Sequence, residues 1–262
     1  MGQVEIEKKI YAFWCRYPSQ QNFGDGLTPW LVKKITGQHP GFLWPAEPVL
    51  KHLVVGSIIC YSNEFTSVWG AGILQAGDPV SPKASLLAVR GPLTRARALS
   101  CGAACPEVYG DPALLLPQFY QPQPTGATYK LGIVPHYLDK PLVAARRVPS
   151  PDIFTVDIQR PVEEVINAIA ACRYILSSSL HGLVAAQVYE IPALWVKFSD
   201  RPHGDGSKFH DYFLSTGQEP YSPLSVTKVW DGLLEWVHRI PPPRLEIDLD
   251  PLWQACPFRS DR

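Results

Sequence analysis

The chemistry-bearing residues of this 262-residue chain gather at a few short junctions. Ser177-Ser178-Ser179-Leu180-His181-Gly182 follows an apolar run, Tyr174–Leu176, that reads as a strand. It opens a helical pattern from about Leu180 to Val188. A strand-to-helix junction presents free backbone N–H groups at the positive end of the helix dipole. With three hydroxyls beside them, the segment reads as a seat for a phosphate or carboxylate. His181 stands in the first turn, where it could exchange a proton with such a ligand. The same six residues also read as a serine-capped helix with a packed histidine.

Other candidates follow the same logic. Arg90 ends a strand and precedes Gly91-Pro92, a second strand-to-helix junction, where a guanidinium can clamp an anion bidentately. Arg95 and Arg97 fall on the following helix and read as solvated. In Asn22-Phe23-Gly24-Asp25-Gly26 the glycines allow close backbone approach and Asn22 and Asp25 offer sugar-type hydrogen bonds, although the composition is also that of an ordinary turn. Without a G-K-[ST] ending it is not a P-loop. Asp111, in Tyr109-Gly110-Asp111-Pro112, carries the same two readings, and His136 after a strand is a third cation.

Residues 199–213 are dense in Asp200, His203, Asp205, Lys208, His210 and Asp211, with Gly204 and Gly206, and read as a mobile lid or a plain surface loop. His203, Asp205 and His210 lack compact metal-ligand spacing, and Cys101-x-x-x-Cys105 lacks a second pair, so no metal is expected.

These junctions need a scaffold that turns strands into helices repeatedly. Strands are predicted at Ile10–Cys15, Leu53–Cys60, Ser67–Gly70, Leu86–Arg90 and Glu107–Tyr109. A second series follows at Leu131–Val134, Asp152–Val156, Tyr174–Leu176 and Ala193–Phe198. Helices are predicted from Thr28-Pro29 to Gly37, from Leu93 to Leu99, after Pro161 with apolar positions 162, 165, 166, 169 and 170, and from Leu180. The alternation is that of an α/β fold. Residues 117–129, rich in Pro, Gln and Tyr, read as a linker. The chain therefore divides into residues 1–120, 130–240 and a proline-rich tail, 241–262, with the active site expected in a cleft between two α/β layers.

Composition narrows the function further. Twenty-four Lys and Arg balance 24 Asp and Glu, so a nucleic-acid partner, which calls for a basic stripe, is not expected. An anionic ligand must be held by a few local cations. Hydrophobic residues at 46% supply a full core, and 27 prolines punctuate loops rather than signal disorder. The six cysteines sit mostly in apolar runs and form no disulfide scaffold. The tryptophans at 30, 44, 69, 195, 230 and 236 fit mostly core positions. No apolar run reaches membrane-spanning length, and Met1–Lys9 reads as neither signal nor transit peptide, so a cytoplasmic protein is expected.

Taken together, Asn22-x-Gly24-Asp25, Val68-Trp69-Gly70-x-Gly72, Ala88-Val89-Arg90-Gly91-Pro92, Pro106 to Pro112, Val134-Pro135-His136, Ser177 to Gly182 and Lys208-Phe209-x-Asp211-Tyr212 carry a resemblance in their order and spacing over roughly residues 20–217. The chain resembles the polysaccharide pyruvyltransferase family, most closely its xanthan-type ketal-pyruvate transferases of bacterial exopolysaccharide synthesis.

The resemblance implies two Rossmann-like domains facing a cleft, in a GT-B-like arrangement. It implies transfer of a pyruvyl group from phosphoenolpyruvate, the co-substrate, to two hydroxyls of a hexose, with no separate cofactor. In that scheme His181 is the acid/base and Asp25 a base. Arg90, His136, Ser177, Ser178, Ser179 and Lys208 hold the donor, while Asn22, Asp25 and Asp111 hold the sugar. The acceptor would be a lipid-linked oligosaccharide, met at the inner membrane face. One departure stands out: some members carry Arg two residues before the catalytic-type His, and here that residue is Ser179, with Lys208 as substitute. The competing readings are a nucleotide-sugar-dependent GT-B glycosyltransferase and a non-catalytic glycan-binding protein.

Overall fold

The computed structural model describes residues 9–16, 22–123, 128–146, 150–226 and 232–259, apart from the side chain of Trp236. The expectations for residues 1–8, for part of the linker (124–127) and for Trp230 lie outside the described residues.

A first parallel sheet contains β1 (Tyr11–Phe13), β2 (Gly41–Phe42), β3 (Lys51–Leu53), β4 (Thr66–Trp69) and β5 (Ser85–Ala88), in spatial order β2-β1-β3-β4-β5. A second parallel sheet contains β6 (Leu131–Val134), β7 (Ile153–Thr155), β8 (Ile175–Ser177), β9 (Ala193–Lys197) and β10 (Leu224–Ser225), in order β10-β9-β8-β6-β7. Read from its other edge, the second sheet repeats the order of the first. In each, the chain reverses its direction of travel once, between β1 and β3 and between β6 and β8. Open α/β sheets bind ligands beyond the carboxyl ends of their strands at such a switch point.

The helices are α1 (Phe23–Thr36), α2 (Pro92–Ser100), α3 (Leu116–Phe119), α4 (Lys140–Ala144), α5 (Val162–Ala170), α6 (Leu180–Val188), α7 (Ser207–Ser215) and α8 (Asp250–Gln254). Helix α1 packs on α5 and α6, and α2 on α7. One continuous core cluster runs from Leu27, Val55 and Trp69 to Val134, Ile166 and Val184, so apolar burial ties the two sheets together. Separate clusters around Leu53 and Val68, and around Ile133 and Val196, fill the remaining faces. The proline-rich carboxyl-terminal segment returns to the first sheet. Trp69 Nε1 donates to the Leu252 carbonyl at 2.7 Å, and Leu252 is buried.

Four local expectations are corrected. Helix α1 starts at Phe23, not Thr28. Asn22 is extended (φ −81°, ψ 145°), and the Phe23 N–H donates to the Ile158 carbonyl at 2.8 Å, so a contact across the molecule sets the start. Pro29 is carried inside the helix at the loss of one N–H bond, and the Thr28 hydroxyl bridges the Val55 backbone instead of capping. The long strand expected at Leu53–Cys60 stops at Leu53, because Gly56 turns at φ +122° and residues 59–61 form a 3-10 turn. Glu107–Tyr109 contributes only an isolated bridge, Val89 to Tyr109. Trp44 is 61% exposed rather than core.

Candidate active site

A cavity of about 190 Å³ opens where the two switch points meet. The segment after β1 supplies Asn22 and Asp25, and the loop after β3 supplies Ser57. His136 comes from the end of β6, Ser179 and His181 from the β8–α6 junction, and Lys208 from the first turn of α7. The amino-terminal turns of α1 and α6 both contribute to its wall, so free N–H groups and two helix dipoles favour negative charge there. Six of the residues singled out by their spacing are thereby brought together. Cys15, Ser57, Tyr137 and His203 also line the cavity, and no motif among them had marked the first three.

His181 is buried and held from two sides. Its Nε2 lies 3.3 Å from Asp111 Oδ2, a fully buried carboxylate whose other oxygen accepts from the Ala113 N–H at 3.0 Å. On the other side the ring rests on Gly24, where an added Cβ would fall on Nδ1. Gly24 is therefore required by space, since only a residue without Cβ lets helix α1 approach the imidazole. Asp111 serves His181 rather than reaching the cavity wall, so its expected contact with the sugar is replaced by a place behind the histidine.

The three serines differ. Ser177 Oγ donates to the Ser179 carbonyl at 2.7 Å and accepts from the Ser179 N–H at 3.1 Å. Ser178 Oγ accepts from the His136 N–H at 2.8 Å and donates to the buried Asp139 carboxylate at 2.9 Å, which also accepts from Ser199. Both build the junction. Ser179 extends the backbone into α6 without capping it by its side chain, and among the described residues its hydroxyl makes no hydrogen bond, so it faces the cavity uncommitted.

The charges are ordered by burial. Burial pushes the Asp25 carboxyl up to about 6, against the pull of the Asn22 amide (3.1 Å) and the charges of His181 and Lys208. Burial, with the Arg90 charge nearby, lowers the Lys208 ammonium to about 8. Burial, reinforced by Lys208 and His203, lowers His136 to about 3. His136 is thus a neutral ring at pH 7, not the free cation expected. Its Nδ1 accepts from the Leu138 N–H at 3.3 Å, which puts the ring proton on Nε2 as a donor.

Arg90 is fully buried. Its Nε lies 3.2 Å from Asp211 Oδ2, Nη1 donates to Ser57 Oγ at 2.9 Å, and Nη2 donates to the Ile73 carbonyl. Asp211 also accepts from the Thr94 N–H at 3.0 Å and the Thr94 hydroxyl at 2.6 Å, capping α2 from α7. An added Cβ at Gly72 would lie 2.6 Å from the Arg90 guanidinium carbon, and one at Gly91 would collide with the Asp211 carbonyl. The Arg90-Gly91-Pro92 and Lys208-Phe209-x-Asp211 segments are therefore two halves of one buried clamp. Arg90 does not reach the cavity. It fixes α7, one turn along which Lys208 does. Sequence spacing could not pair positions 90 and 211; the signal available was Asp211 on the apolar face of a helix.

The polysaccharide pyruvyl transferase family model matches residues 66–200, just over half of the chain. The chain belongs to the polysaccharide pyruvyl transferase family. The matched region includes Asp111, His136, the three serines and His181. It is also similar to the uncharacterized protein L143 of Acanthamoeba polyphaga mimivirus, with 31% identity over 174 residues (63% of this chain, 60% of that protein). A second relative is the succinoglycan biosynthesis protein ExoV of Rhizobium meliloti (strain 1021), with 27% identity over 218 residues (78% and 64%). The chain thus spans about three fifths of the length of these relatives. No described helix is long and apolar enough to cross a membrane.

Proposed function

We propose that this pyruvyl transferase moves the pyruvyl group of phosphoenolpyruvate onto two hydroxyls of a hexose in an exopolysaccharide repeat unit, forming a cyclic ketal and releasing phosphate. The observation that carries this reading is the His181–Asp111 pair beside Lys208 and two helix amino termini in one small cavity. Family membership and the similarity to ExoV support it further.

Protonation of the donor methylene carbon makes C2 electrophilic, and His181 supplies that proton while the Asp111 carboxylate stabilises the imidazolium before transfer. A sugar hydroxyl attacks C2, giving its proton to Asp25, whose raised carboxyl holds a proton more readily than an ordinary aspartate. Phosphate then leaves as its bond to C2 breaks, and the second hydroxyl attacks C2 and closes the ring, its proton returning to the His181 imidazole. Lys208, the Ser179 hydroxyl, the α6 N–H groups and the His136 Nε2–H bind the donor's anionic groups, and Asn22 orients Asp25.

The reading includes a GT-B-like pair of Rossmann-like domains, residues 1–120 and 130–240, to which the repeated strand order lends support. It takes the acceptor to be lipid-linked and met at the inner membrane face by a cytoplasmic enzyme, with no metal or separate cofactor. The test is incubation with isotopically labelled phosphoenolpyruvate and methyl hexopyranosides. Ketal product with equimolar phosphate is expected. Turnover of a sugar nucleotide without phosphate release from phosphoenolpyruvate would replace it with a glycosyltransferase.

A further inference from the structure

A second cavity, of about 380 Å³, adjoins the first and shares His203 and Lys208 with it. It lies at the carboxyl ends of β8 and β9 under the loop 199–206. We infer that it is the seat of the acceptor pyranose, an assignment that rests on the pyruvyl-transfer reading above.

The two cavities differ in chemistry. The smaller one gathers N–H dipoles and the Lys208 ammonium, as a small anion requires. Around the larger one stand three carboxylates, Asp139, Asp200 and Asp205, and its other cation, Lys197, is already paired with Asp200. A second anion would be repelled there, whereas a neutral polyol would find acceptors. Asp139 receives the Ser178 and Ser199 hydroxyls, and Asp205 receives the Ala76 and Ser207 N–H groups at 3.0 and 2.9 Å. Asp139 is fully buried and fixes the wall through Ser178 and Ser199, whereas the exposed Asp200 and Asp205 oxygens keep further lone pairs for a sugar hydroxyl.

One wall is apolar, built on Trp195 and Phe209, which stack at 4.0 Å between ring centroids, with Pro223 beside them. Carboxylate acceptors and an apolar wall in one cavity suit the edge and face of a pyranose ring. The volume falls in the range of small-molecule sites, roughly 300–1,000 Å³, whereas the neighbouring cavity is below it and fits a smaller ligand. Because Lys208 lines both, a ring seated in the larger cavity can extend hydroxyls to a donor carbon in the smaller.

The test uses Pro223→Trp, which fills the apolar side, and Asp200→Ala, which removes an exposed carboxylate. Binding of phosphoenolpyruvate is measured by calorimetry, and KM is measured for methyl hexopyranosides. Each variant should raise the acceptor KM at least tenfold while the donor Kd stays within twofold of wild type. Should Pro223→Trp fail to fold, Asp200→Ala carries the test alone, its side chain lying at the surface. Unchanged acceptor KM in folded variants that bind the donor overturns the acceptor seat and leaves the donor reading standing. A wild-type protein that neither binds phosphoenolpyruvate nor releases its phosphate overturns the donor reading, and the acceptor seat with it.

Discussion

His181 Nε2 lies 3.3 Å from Asp111 Oδ2, and the carboxylate is fully buried beneath a ring only slightly exposed. A buried carboxylate of this kind fixes the imidazole's orientation. Asp111→Asn keeps the shape and can still accept the Ala113 N–H, but it loses the charge. A fall in kcat of about 10²–10⁴-fold is expected, with the melting temperature nearly unchanged. His181→Ala should abolish turnover with the fold retained. Steady-state kinetics beside thermal melts check both, and an unimpaired Asp111→Asn enzyme would remove the pair from the mechanism.

The contact between Gly24 and the ring gives a second expectation. In Gly24→Ala the new methyl occupies the space of Nδ1, so either the imidazole or the start of α1 must move. Overpacking of this kind costs about 1–3 kcal/mol. If His181 is the acid/base of the proposed reaction, loss of activity should exceed loss of stability, because a small displacement of such a group is catalytically expensive. A melt compared with kcat separates the two.

The Arg90–Asp211 clamp is buried, and removing one partner leaves a charge without its counterpart. Arg90→Met or Asp211→Leu alone should destabilise by about 3–5 kcal/mol, while the double replacement should recover much of the loss. Denaturant titration reads this directly. A donor-binding Arg90 would behave in the opposite way, raising the donor KM while leaving the unfolding midpoint alone.

Charge at Lys208 should set the alkaline limit of donor binding. With the ammonium lowered to about 8, kcat/KM should bend downward above that pH, and Lys208→Arg should carry the bend upward out of range. Lys208→Met should weaken donor binding, and Ser179→Arg in that background should restore part of it, since both positions line the same cavity. A profile identical in wild type and Lys208→Arg would assign the limb to another group.

Asp25 makes a prediction of opposite sign from a salt-bridged carboxylate. Its folded value of about 6 lies above the ordinary value of about 3.9, so the folded protein holds the proton more tightly. The stability this contributes is complete below about pH 4 and is lost as the pH rises through 6. Asp25→Asn should therefore raise the melting temperature at pH 8, and the gain should vanish at pH 4. Melts across that range measure it.

Much of the site was legible because strand-to-helix junctions carry local signals. The β6 and α6 boundaries, Leu131–Val134 and Leu180–Val188, agree with their expected ranges, since apolar runs and the serine junction are read within a few residues. Helix α1 was misread for the converse reason. Its start is decided by Ile158, far along the chain, and by packing of Phe23 and Leu27, which outweighs the local appeal of Thr28-Pro29.

The sequence by itself determined the candidate residue types, their order and the α/β alternation that places strand-to-helix junctions around them. Periodicity and turn chemistry are local properties, and so survive without coordinates. Only the tertiary structure decided which polar residues face the cavity and which are consumed beneath it. Arg90 and Asp111 look as functional as Lys208 and Asp25 on the line of sequence, yet burial commits the first to Asp211 and the second to His181. That choice depends on which distant groups meet in a low-dielectric interior, where a charge must find its partner.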